Sequence, residues 1–318
     1  MDFLVRTRCF TFNHGKFISK ALEGFSMQQT TFPVVTVIVD DASTDNTAEV
    51  IRDFVQEHFV LDECGYDKAT EYGHVTFARH KRNRNCYFAV IYLAENHFKK
   101  KDKKPYYAEW SDIKYEAMCE GDDYWTDPLK LQRQVDFLES HPDYMMCFHK
   151  VKVLAEEERE RHFFEHLEER EYSAREIYDR WTVPTCSVVY RDFGLESNRK
   201  IYYGDIYKWL QIAEKGKVFC LGFCGGVYRR HSGSLSSQTS SSELILLADQ
   251  YRYLGKRFPA LKDISRRKED ENLKYVVRMP YFRGILKYRF RYMQLHPDLF
   301  FSSFLTKTLL HYTPLRHK

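Results

Sequence analysis

The sequence predicts an α/β fold with an open, mostly parallel sheet, and three observations on its 318 residues support that class. Strand patterns and helix patterns alternate over the first part of the chain. Residues 33–39 form a near-continuous β-branched run, which is typical of a parallel strand buried on both faces. Hydrophobic residues make up 43% of the chain, which is enough for a large core and excludes long disorder.

The first part of the chain contains two strand–helix pairs. Residues 4–10 predict a strand, and apolar side chains at helical spacing predict the helix that follows: Ile18, Ala21, Leu22 and Phe25. The strand at 33–39 runs into a polar loop at 40–47 that is rich in helix-capping residues. That loop opens a second helix, whose inner face carries Val50, Ile51, Phe54 and Val55.

The alternation continues beyond these pairs. Three further strands are predicted, around residues 74–77, 114–119 and 144–149. A helix is predicted over residues 88–95, and Asp127 with Pro128 supplies an N-cap and a first-turn proline for another. The Glu-rich stretch at 156–171 predicts an exposed helix or loop.

The pattern becomes helical and basic at residue 243, so we predict two parts, residues 1–242 and a C-terminal extension at 243–318. The net charge is only +4, which disfavours a nucleic-acid-binding protein acting through residues 79–84 and the tail. Residues 281–318 nevertheless carry seven Lys or Arg against one Asp, in a context rich in aromatic residues. Such a tail suggests peripheral contact with an anionic membrane surface, and a helix packed on the domain or on a dimer partner is the alternative.

The eight cysteines form no Cys-x-x-Cys pair, so a zinc site of that type is not predicted and we expect reduced, mostly buried thiols. The chain shows no leader-like start and no apolar run of about 18 residues. Together these features predict a protein that works in the cytoplasm.

Polar groups follow three predicted strands, at residues 11–14, 40–45 and 120–123. In open α/β sheets, ligands bind at the carboxyl ends of the strands. Each loop alone could be a helix cap or a tight turn. Because adjacent carboxylates repel, two acidic clusters at one edge indicate a divalent cation that bridges a phosphorylated substrate. The motifs of dinucleotide, P-loop, zinc-protease and serine-hydrolase sites are absent from the sequence.

Four sequence blocks, in order, resemble the inverting glycosyltransferases of family two, which have the GT-A fold. The blocks are Thr-Phe-Asn-His, Val-Asp-Asp-Ala-Ser-Thr-Asp-Asn-Thr, Cys-Glu-Gly-Asp-Asp-Tyr-Trp-Thr-Asp-Pro, and Gly-Asp-Ile-Tyr-Lys-Trp with the later Tyr-Arg-Arg-His. They cover about residues 4–237. The resemblance implies a metal-dependent enzyme that moves a sugar from a nucleotide sugar, in surface-polysaccharide biosynthesis of the bacterial type.

The resemblance also implies roles for the donor side of the site. Thr11 and the turn after it, with Asn13, would line the nucleotide pocket, and Asp41 would accept a hydrogen bond from the base, most often uracil. Asn85 falls near a family position that lines the donor site, although the sequence around it diverges. These assignments predict a UDP-linked donor.

The acidic block would hold the diphosphate end. Asp122 would bind Mn²⁺ or Mg²⁺, Asp123 would stand beside it, and Glu120, where the family usually has Asp, would face the ribose. His231 would approach the metal or the diphosphate from the other side, with a surface loop histidine as the alternative.

Asp205 is the candidate general base, since the family commonly shows Glu-Asp where this chain has Gly-Asp. A helix N-cap is the alternative for Asp205. Trp125 and Trp209 could stack on acceptor or donor sugar rings, and a core role suits either ring equally well.

The leading hypothesis is therefore an inverting hexosyl- or N-acetylhexosaminyl-type transferase whose acceptor is a glycan or a lipid-linked molecule, acting in the cytoplasm or at the inner face of the membrane. A catalytically inactive GT-A protein that binds nucleotide sugars or assists assembly is the second hypothesis. We expect no nucleic-acid partner. Sequence alone specifies neither the sugar nor the linkage.

Overall fold

The computed structural model describes residues 2–97, 104–155, 164, 166–180, 182–198, 201–231, 241–279 and 285–297. The chain divides into two compact units. The first contains Met1–Ser197 with Asp205–Ser237, and the second contains Asn198–Gly204 with Gln238–Lys318. The predicted boundary after residue 242 stays a prediction. Most of the Glu-rich stretch and the tail from residue 298 lie outside the described residues.

The described part of the first unit is built on one mixed sheet. Its strands are β1 (Val5–Thr11), β2 (Val34–Asp40), β3 (Phe59–Val60), β4 (Tyr66–Thr70), β5 (Gly73–His80), β6 (Cys86–Leu93), β7 (Tyr115–Met118), β8 (Tyr124–Trp125), β9 (Tyr144–Ala155), β10 (Arg170–Glu171), β11 (Val189–Arg191) and β12 (Lys217–Arg230). Its helices are α1 (Ile18–Ser26), α2 (Thr47–His58), α3 (Lys130–Ser140), α4 (Ala174–Asp179) and α5 (Gly204–Lys215).

The strand order is β10-β12-β9-β11-β7-β1-β2-β6-β5-β3, with β4 paired to β5 and β8 paired to β12. The centre, β7-β1-β2-β6, is parallel throughout. Strand β11 is antiparallel to both β7 and β9, and β12 is parallel to β9. Consequently β1, β2, β6, β7, β9 and β12 all point the same way, and their carboxyl ends share one edge.

Apolar side chains cover both faces of the central strands. All seven residues of β2 are buried, as its β-branched sequence predicts. Helices α1, α2 and α3 pack on one face through a cluster that includes Leu22, Ile51 and Leu131. Val35, Val37 and Val39 lie on the other face with aromatic side chains such as Trp110. The predicted α/β class is confirmed.

Two predicted elements differ from the structure. The segment predicted as a helix over residues 88–95 forms β6, which pairs in register with β2 from Cys86 to Tyr92. Its uninterrupted apolar run fits a buried helix or a buried strand equally well, and the open edge of β2 requires hydrogen-bonding partners. Helix α3 begins at Lys130 rather than at Pro128, and Asp127 accepts the backbone N–H of Leu129 at 2.9 Å in the turn before it.

The second unit contains α6 (Ser241–Arg257), α7 (Lys262–Val276) and α8 (Ile285–Leu295). The helices pack around Ala248, Leu273, Val276 and Tyr288. The buried guanidinium of Arg291 pairs with Asp249 and Glu269. The helical pattern predicted from residue 243 onward is therefore present in the described residues 243–279 and 285–297.

All eight cysteines are free thiols, and six of them are buried. This state agrees with the expectation of reduced, mostly buried thiols. None of the helices that the structure describes combines the length and the apolar character needed to cross a membrane.

Candidate active site

Backbone hydrogen bonds join three loops at the carboxyl edge of the sheet. Asp41 donates its N–H to the carbonyl of Thr11 at 2.9 Å, and Gly121 donates to the carbonyl of Phe10 at 3.0 Å. The backbone N–H of Phe10 in turn donates to Oε2 of Glu120 at 3.0 Å. The polar residues after β1, β2 and β7 thus lie together, as the sequence predicts for neighbouring parallel strands.

Asn13 fastens the loop after β1 to the loop after β2. Its φ of 55° is left-handed, a conformation that Asn tolerates better than most residues. Its Oδ1 accepts the backbone N–H of Thr44 at 2.8 Å, and its own N–H donates to Oγ of Ser43 at 2.9 Å. These contacts give Asn13 a structural part in shaping the edge where the sequence places nucleotide binding.

Asp41 is 6% exposed and lies beneath the segment that follows β6. Its Oδ1 accepts the backbone N–H of His97 at 2.5 Å, and its carbonyl accepts Nδ2 of Asn96 at 2.9 Å. Sequence reasoning missed Asn96, because it assigned the segment before it to a helix. Once β6 is recognised as a parallel strand, Asn96 is expected at the carboxyl edge.

Asn85 does not reach this edge. It precedes β6, and its carbonyl accepts the N–H of Val34 at the amino end of β2 at 2.7 Å. Its side-chain amide donates to the carbonyl of Thr30 at 2.6 Å. The strand separates the two ends by about 20 Å at 3.3 Å per residue. The donor-binding assignment of Asn85 is therefore corrected, and Asn96 is the asparagine that lies beside Asp41.

The acids after β7 lie close together, with Asp123 buried and Glu120 and Asp122 half-buried. Gly121 presses on Thr11, and a Cβ at Gly121 would lie 2.6 Å from Oγ1 of Thr11, so no larger residue fits between Glu120 and Asp122. Burial, and after it the charges of Asp205 and Asp122, raises the pKa of Glu120 to about 7. Burial and the charge of Asp122 likewise raise the pKa of Asp123 well above its ordinary value. Such mutual repulsion is typical of carboxylates that share a cation.

His14, Asp122 and His231 form a cluster with the donor atoms of a metal site. One ligand atom from each lies within 4.8 Å of the other two, and Nε2 of His231 is 3.1 Å from Oδ2 of Asp122. Burial would raise the pKa of Asp122, but the hydrogen bond from His231 and the charges of His14 and His231 lower it below its ordinary value. The sequence assigned Asp122 and His231 to the metal, and the structure brings these two together.

His14 is the member that sequence reasoning did not assign. Its Nδ1 is buried and has no hydrogen-bond partner among the described residues. Burial is the main cause that lowers its pKa, which favours the neutral imidazole that metal ions bind. Phe17 supports the cluster from below, with ring centroids 6.3 Å from His14 and 4.7 Å from His231. The sequence signal for His14 was its position in the loop after β1, a central strand whose carboxyl end lies at the site.

Arg229 places a guanidinium beside the acids. Its NH1 donates to the carbonyl of Asp122 at 2.7 Å, and its backbone N–H donates to Oδ1 of Asp123 at 2.7 Å. The guanidinium carbon lies 4.4 Å from the ring centre of Tyr124, within cation–π range. Because β12 runs parallel to the central strands through β9, its last residues deliver Arg229 and His231 to the same edge.

Asp205 lies in the first turn of α5, and its side chain is 45% exposed. Its Oδ2 accepts the hydroxyl of Thr185 at 2.9 Å, and its Oδ1 is 3.7 Å from Nζ of Lys208. Among the described residues no backbone N–H donates to this carboxylate, so the geometry does not support the N-cap alternative. The charge of Asp205 is, after burial, the largest cause that raises the pKa of Glu120.

The two predicted sugar-stacking residues are both buried. Trp125 is 2% exposed, donates Nε1–H to the carbonyl of Cys186 at 2.7 Å and packs edge-on against Phe25. Trp209 is also 2% exposed and packs against Tyr190. Since neither ring presents an open face, the structure favours the core alternative for both and corrects the stacking assignment.

Comparison with known proteins agrees with this arrangement. The family model described as glycosyl transferase family 2 matches residues 10–201. The uncharacterized protein Rv1520 of Mycobacterium tuberculosis is 32% identical over 232 residues, which are 70% of this chain and 57% of that protein. The chain thus spans a little over half the length of the curated relatives it matches.

Solved structures show the same fold at low sequence identity. S. aureus TarS 1–349 in complex with UDP-GlcNAc has a TM-score of 0.56 and 15% identity, covering 93% of this chain and 80% of that chain. The mannosyltransferase PcManGT from Pyrobaculum calidifontis, in complex with GDP-Man and Mn²⁺, has a TM-score of 0.51 and 10% identity, covering 97% and 86%. At these identities the likeness concerns the fold alone.

Proposed function

Because this chain belongs to glycosyltransferase family 2 and has the GT-A fold, we propose that it transfers a hexosyl or N-acetylhexosaminyl group from a UDP-sugar to a hydroxyl group, with inversion at the anomeric carbon. One observation carries the proposal: a cluster of possible metal ligands, a guanidinium and a carboxylate base candidate converge on one edge of the sheet. Sugar transfer needs these groups side by side, because the metal and the guanidinium would bind the diphosphate of the donor and the base would take the proton of the acceptor hydroxyl.

The donor assignment rests on Thr11, Asp41 and the acids after β7. Asp41 is held by the backbone of His97 and lies beside Thr11, which supports its proposed contact with the base. TarS was crystallised with UDP-GlcNAc and with UDP, and the mannosyltransferase with GDP-Man. Proteins of this fold therefore bind donors with uracil and donors with guanine. We place UDP first because the family resemblance assigns uracil to the position of Asp41.

The metal proposal is Mn²⁺, held by His14, Asp122 and His231. The buried Nδ1 of His14, which has no hydrogen-bond partner among the described residues, supports this proposal because it is free to bind an ion. Two imidazoles and one carboxylate suit Mn²⁺ better than Mg²⁺, which prefers oxygen ligands. When bound, such an ion neutralises charge on a departing diphosphate.

The chain's own residues would do the remaining work. Arg229 would add a fixed positive charge for the diphosphate. Asp205 would take the proton from the acceptor hydroxyl as its oxygen attacks the anomeric carbon and the bond to the diphosphate breaks. A single displacement of this kind inverts the anomeric centre.

The acceptor proposal is a glycan or lipid-linked molecule in polysaccharide biosynthesis at the cytoplasmic face of a membrane. Helix α8 supports a membrane contact, since it exposes Leu286 and Phe290 one turn apart, at 56% and 55%, with Lys287 between them. Replacing both apolar residues by Ser should weaken sedimentation of the full chain with anionic phosphatidylglycerol vesicles. The matched control is Tyr275→Ser on α7, where a 63% exposed ring should not matter. Equal sedimentation of the double variant would remove the membrane contact from the proposal.

The first experiment is calorimetric titration of UDP and GDP into the protein, with and without Mn²⁺. We expect binding that needs Mn²⁺ and prefers UDP, followed by turnover in a screen of UDP-sugars. Preference for GDP would overturn the base assignment. Failure of both nucleotides to bind would favour the second candidate, an inactive GT-A assembly protein.

A further inference from the structure

Lys208 lies one turn after Asp205 on α5, on the side of the helix that faces the site. Its Nζ is 3.7 Å from Oδ1 of Asp205, and its side chain is 23% exposed. Residues three apart on a helix lie on the same face, so the helix itself places the ammonium of Lys208 next to the carboxylate of Asp205.

The surroundings of Lys208 are unusual for an ammonium group. Its Nζ lies 3.9 Å from Sδ of Met118, the last residue of β7, and NH2 of Arg8 donates to the same sulfur at 3.2 Å. Burial and the charge of Arg8 lower the pKa of Lys208, whereas Asp205, Glu116 and Glu120 act in the opposite direction. The side chain therefore reaches from the helix to the end of the central strand, and Asp205 is the carboxylate with which it pairs.

The ammonium of Lys208 lies beside one oxygen of the Asp205 carboxylate. The other oxygen of Asp205 accepts the hydroxyl of Thr185 at 2.9 Å. Asp205 is thus held through both oxygens, by a cation on its own helix and by a hydroxyl from residues 185–187.

We propose that Lys208 is a positioning residue for the general base: its ammonium and the hydroxyl of Thr185 hold the Asp205 carboxylate in one orientation toward the acceptor. The inference rests on the proposed function. It goes beyond it by giving a role to a residue for which neither the sequence motifs nor the comparisons supply one.

The step that Lys208 would serve is the attack of the acceptor. The acceptor oxygen forms its bond to the anomeric carbon, the bond from that carbon to the diphosphate oxygen breaks, and the acceptor proton passes to Asp205. A misplacement of about 1 Å in such a step costs on the order of 100-fold in rate. Positioning should therefore appear in kcat rather than in donor binding.

The test compares three variants in UDP release from UDP-GlcNAc, UDP-glucose and UDP-galactose, with Mn²⁺ present and water as acceptor. Lys208→Met keeps the length of the side chain and its contact with Met118, and should lower kcat by about 10- to 100-fold with the donor KM within about twofold. Lys208→Arg should restore most of the rate. Lys215→Met, at an exposed position of the same helix, should match the wild type.

Each outcome decides a different point. Unchanged kcat in a folded Lys208→Met variant overturns the inference while the proposed function stands. A rise in donor KM without a fall in kcat also overturns it, because Lys208 would then bind substrate directly. Folding is checked by UDP calorimetry and thermal melting, and Lys208→Gln, which also removes the charge, replaces a Met variant that does not fold. Absence of UDP release by the wild type from all three donors overturns the proposed function and the inference with it.

Discussion

The two ends of β7 shift the pKa of a carboxylate in opposite directions. Glu116, inside the sheet, is 2% exposed and pairs with Arg6 and Arg8, while Tyr190 donates its hydroxyl to it. Burial alone would raise the pKa of Glu116, but the charges of Arg8 and Arg6 lower it to about 2. Four residues later, burial and neighbouring acids raise the pKa of Glu120 to about 7.

The difference separates charges that serve the fold from charges that serve a ligand. Inside the sheet the chain supplies its own cations, so Glu116 belongs to an ion-pair network with Arg6 and Arg8. At the carboxyl edge, the described residues give Asp122 and Asp123 an imidazole and a backbone N–H, but no guanidinium or ammonium ion pair. Uncompensated acids at the end of a satisfied strand therefore indicate where a cation from outside is needed.

The largest expected effect comes from Glu116. Glu116→Ala would leave the buried guanidinium groups of Arg6 and Arg8 without their partner, and should lower the free energy of unfolding by about 3 to 5 kcal/mol. Urea unfolding of the first unit measures this effect. Glu139→Ala, which breaks an exposed pair with Lys114, is the control and should cost less than about 1 kcal/mol. Similar losses in both variants would break the distinction drawn between the two ends of β7.

Replacing Asp122 should have the opposite effect to replacing Glu116: stability should change little, and metal affinity should fall. Asp122→Ala should change the metal-free stability by less than about 1 kcal/mol, because relief of the repulsion on Glu120 and Asp123 offsets loss of the hydrogen bond with His231. The same variant should weaken Mn²⁺ binding at least about 100-fold, equal to about 2.7 kcal/mol, because it removes the carboxylate ligand. Calorimetry with Mn²⁺ and UDP measures the affinity, with the exposed Asp143→Ala as control. An unaltered Mn²⁺ affinity would contradict the role given to this acid.

Lys130 is an interior charge that could contradict the contrast between charges that are paired inside the protein and Asp122 and Asp123 at the carboxyl edge, for which the described residues provide no guanidinium or ammonium ion pair. It is fully buried over the ring of Trp125, at 3.9 Å, and its Nζ has no hydrogen-bond partner among the described residues. Burial lowers its pKa from 10.5 to about 7. Between these values the unfolded chain binds more protons than the folded chain, so this group makes stability rise as the pH increases from about 7 to 10.

Replacing Lys130 by Met should therefore flatten that rise and stabilise the protein at pH 7 by about 1 kcal/mol, since loss of the contact with Trp125 offsets part of the gain. Denaturant unfolding between pH 6.5 and 9.5 measures the slope. A variant that is less stable at every pH would show that the ammonium has a compensating partner after all.

Much of this architecture could be predicted from the residues, and the failures have physical causes. The β-branched run of β2 and the amphipathic spacing of α1 and α2 determined the parallel centre, and the order of the motifs identified the family. The run from Cys86 to Leu93 is buried on all sides, so it lacks the periodicity that distinguishes a strand from a helix.

That one error had consequences at the site. It hid Asn96, because only the direction of β6 shows which asparagine lies at the carboxyl edge, whereas Asn85 was assigned from the family resemblance. His14 and Lys208 could not be assigned either. Their roles depend on which side chains lie near them across the fold, and spacing along the chain does not carry that information. Burial of Trp125 and Trp209 is likewise a property of packing.

The positions of His14, Asp122 and His231 along the chain also bear on how long the folded protein survives in a cell. Asp122 lies 109 residues before His231 and a similar distance after His14. An unfolded chain would have to close two such loops before it could chelate an ion, so an ion at the proposed site would bind the folded first unit almost exclusively. Its binding then adds directly to stability, by about 2.7 kcal/mol when the free ion is at 100 times its dissociation constant. Metal supply would thus control the turnover of this protein by quality-control proteases as well as its activity.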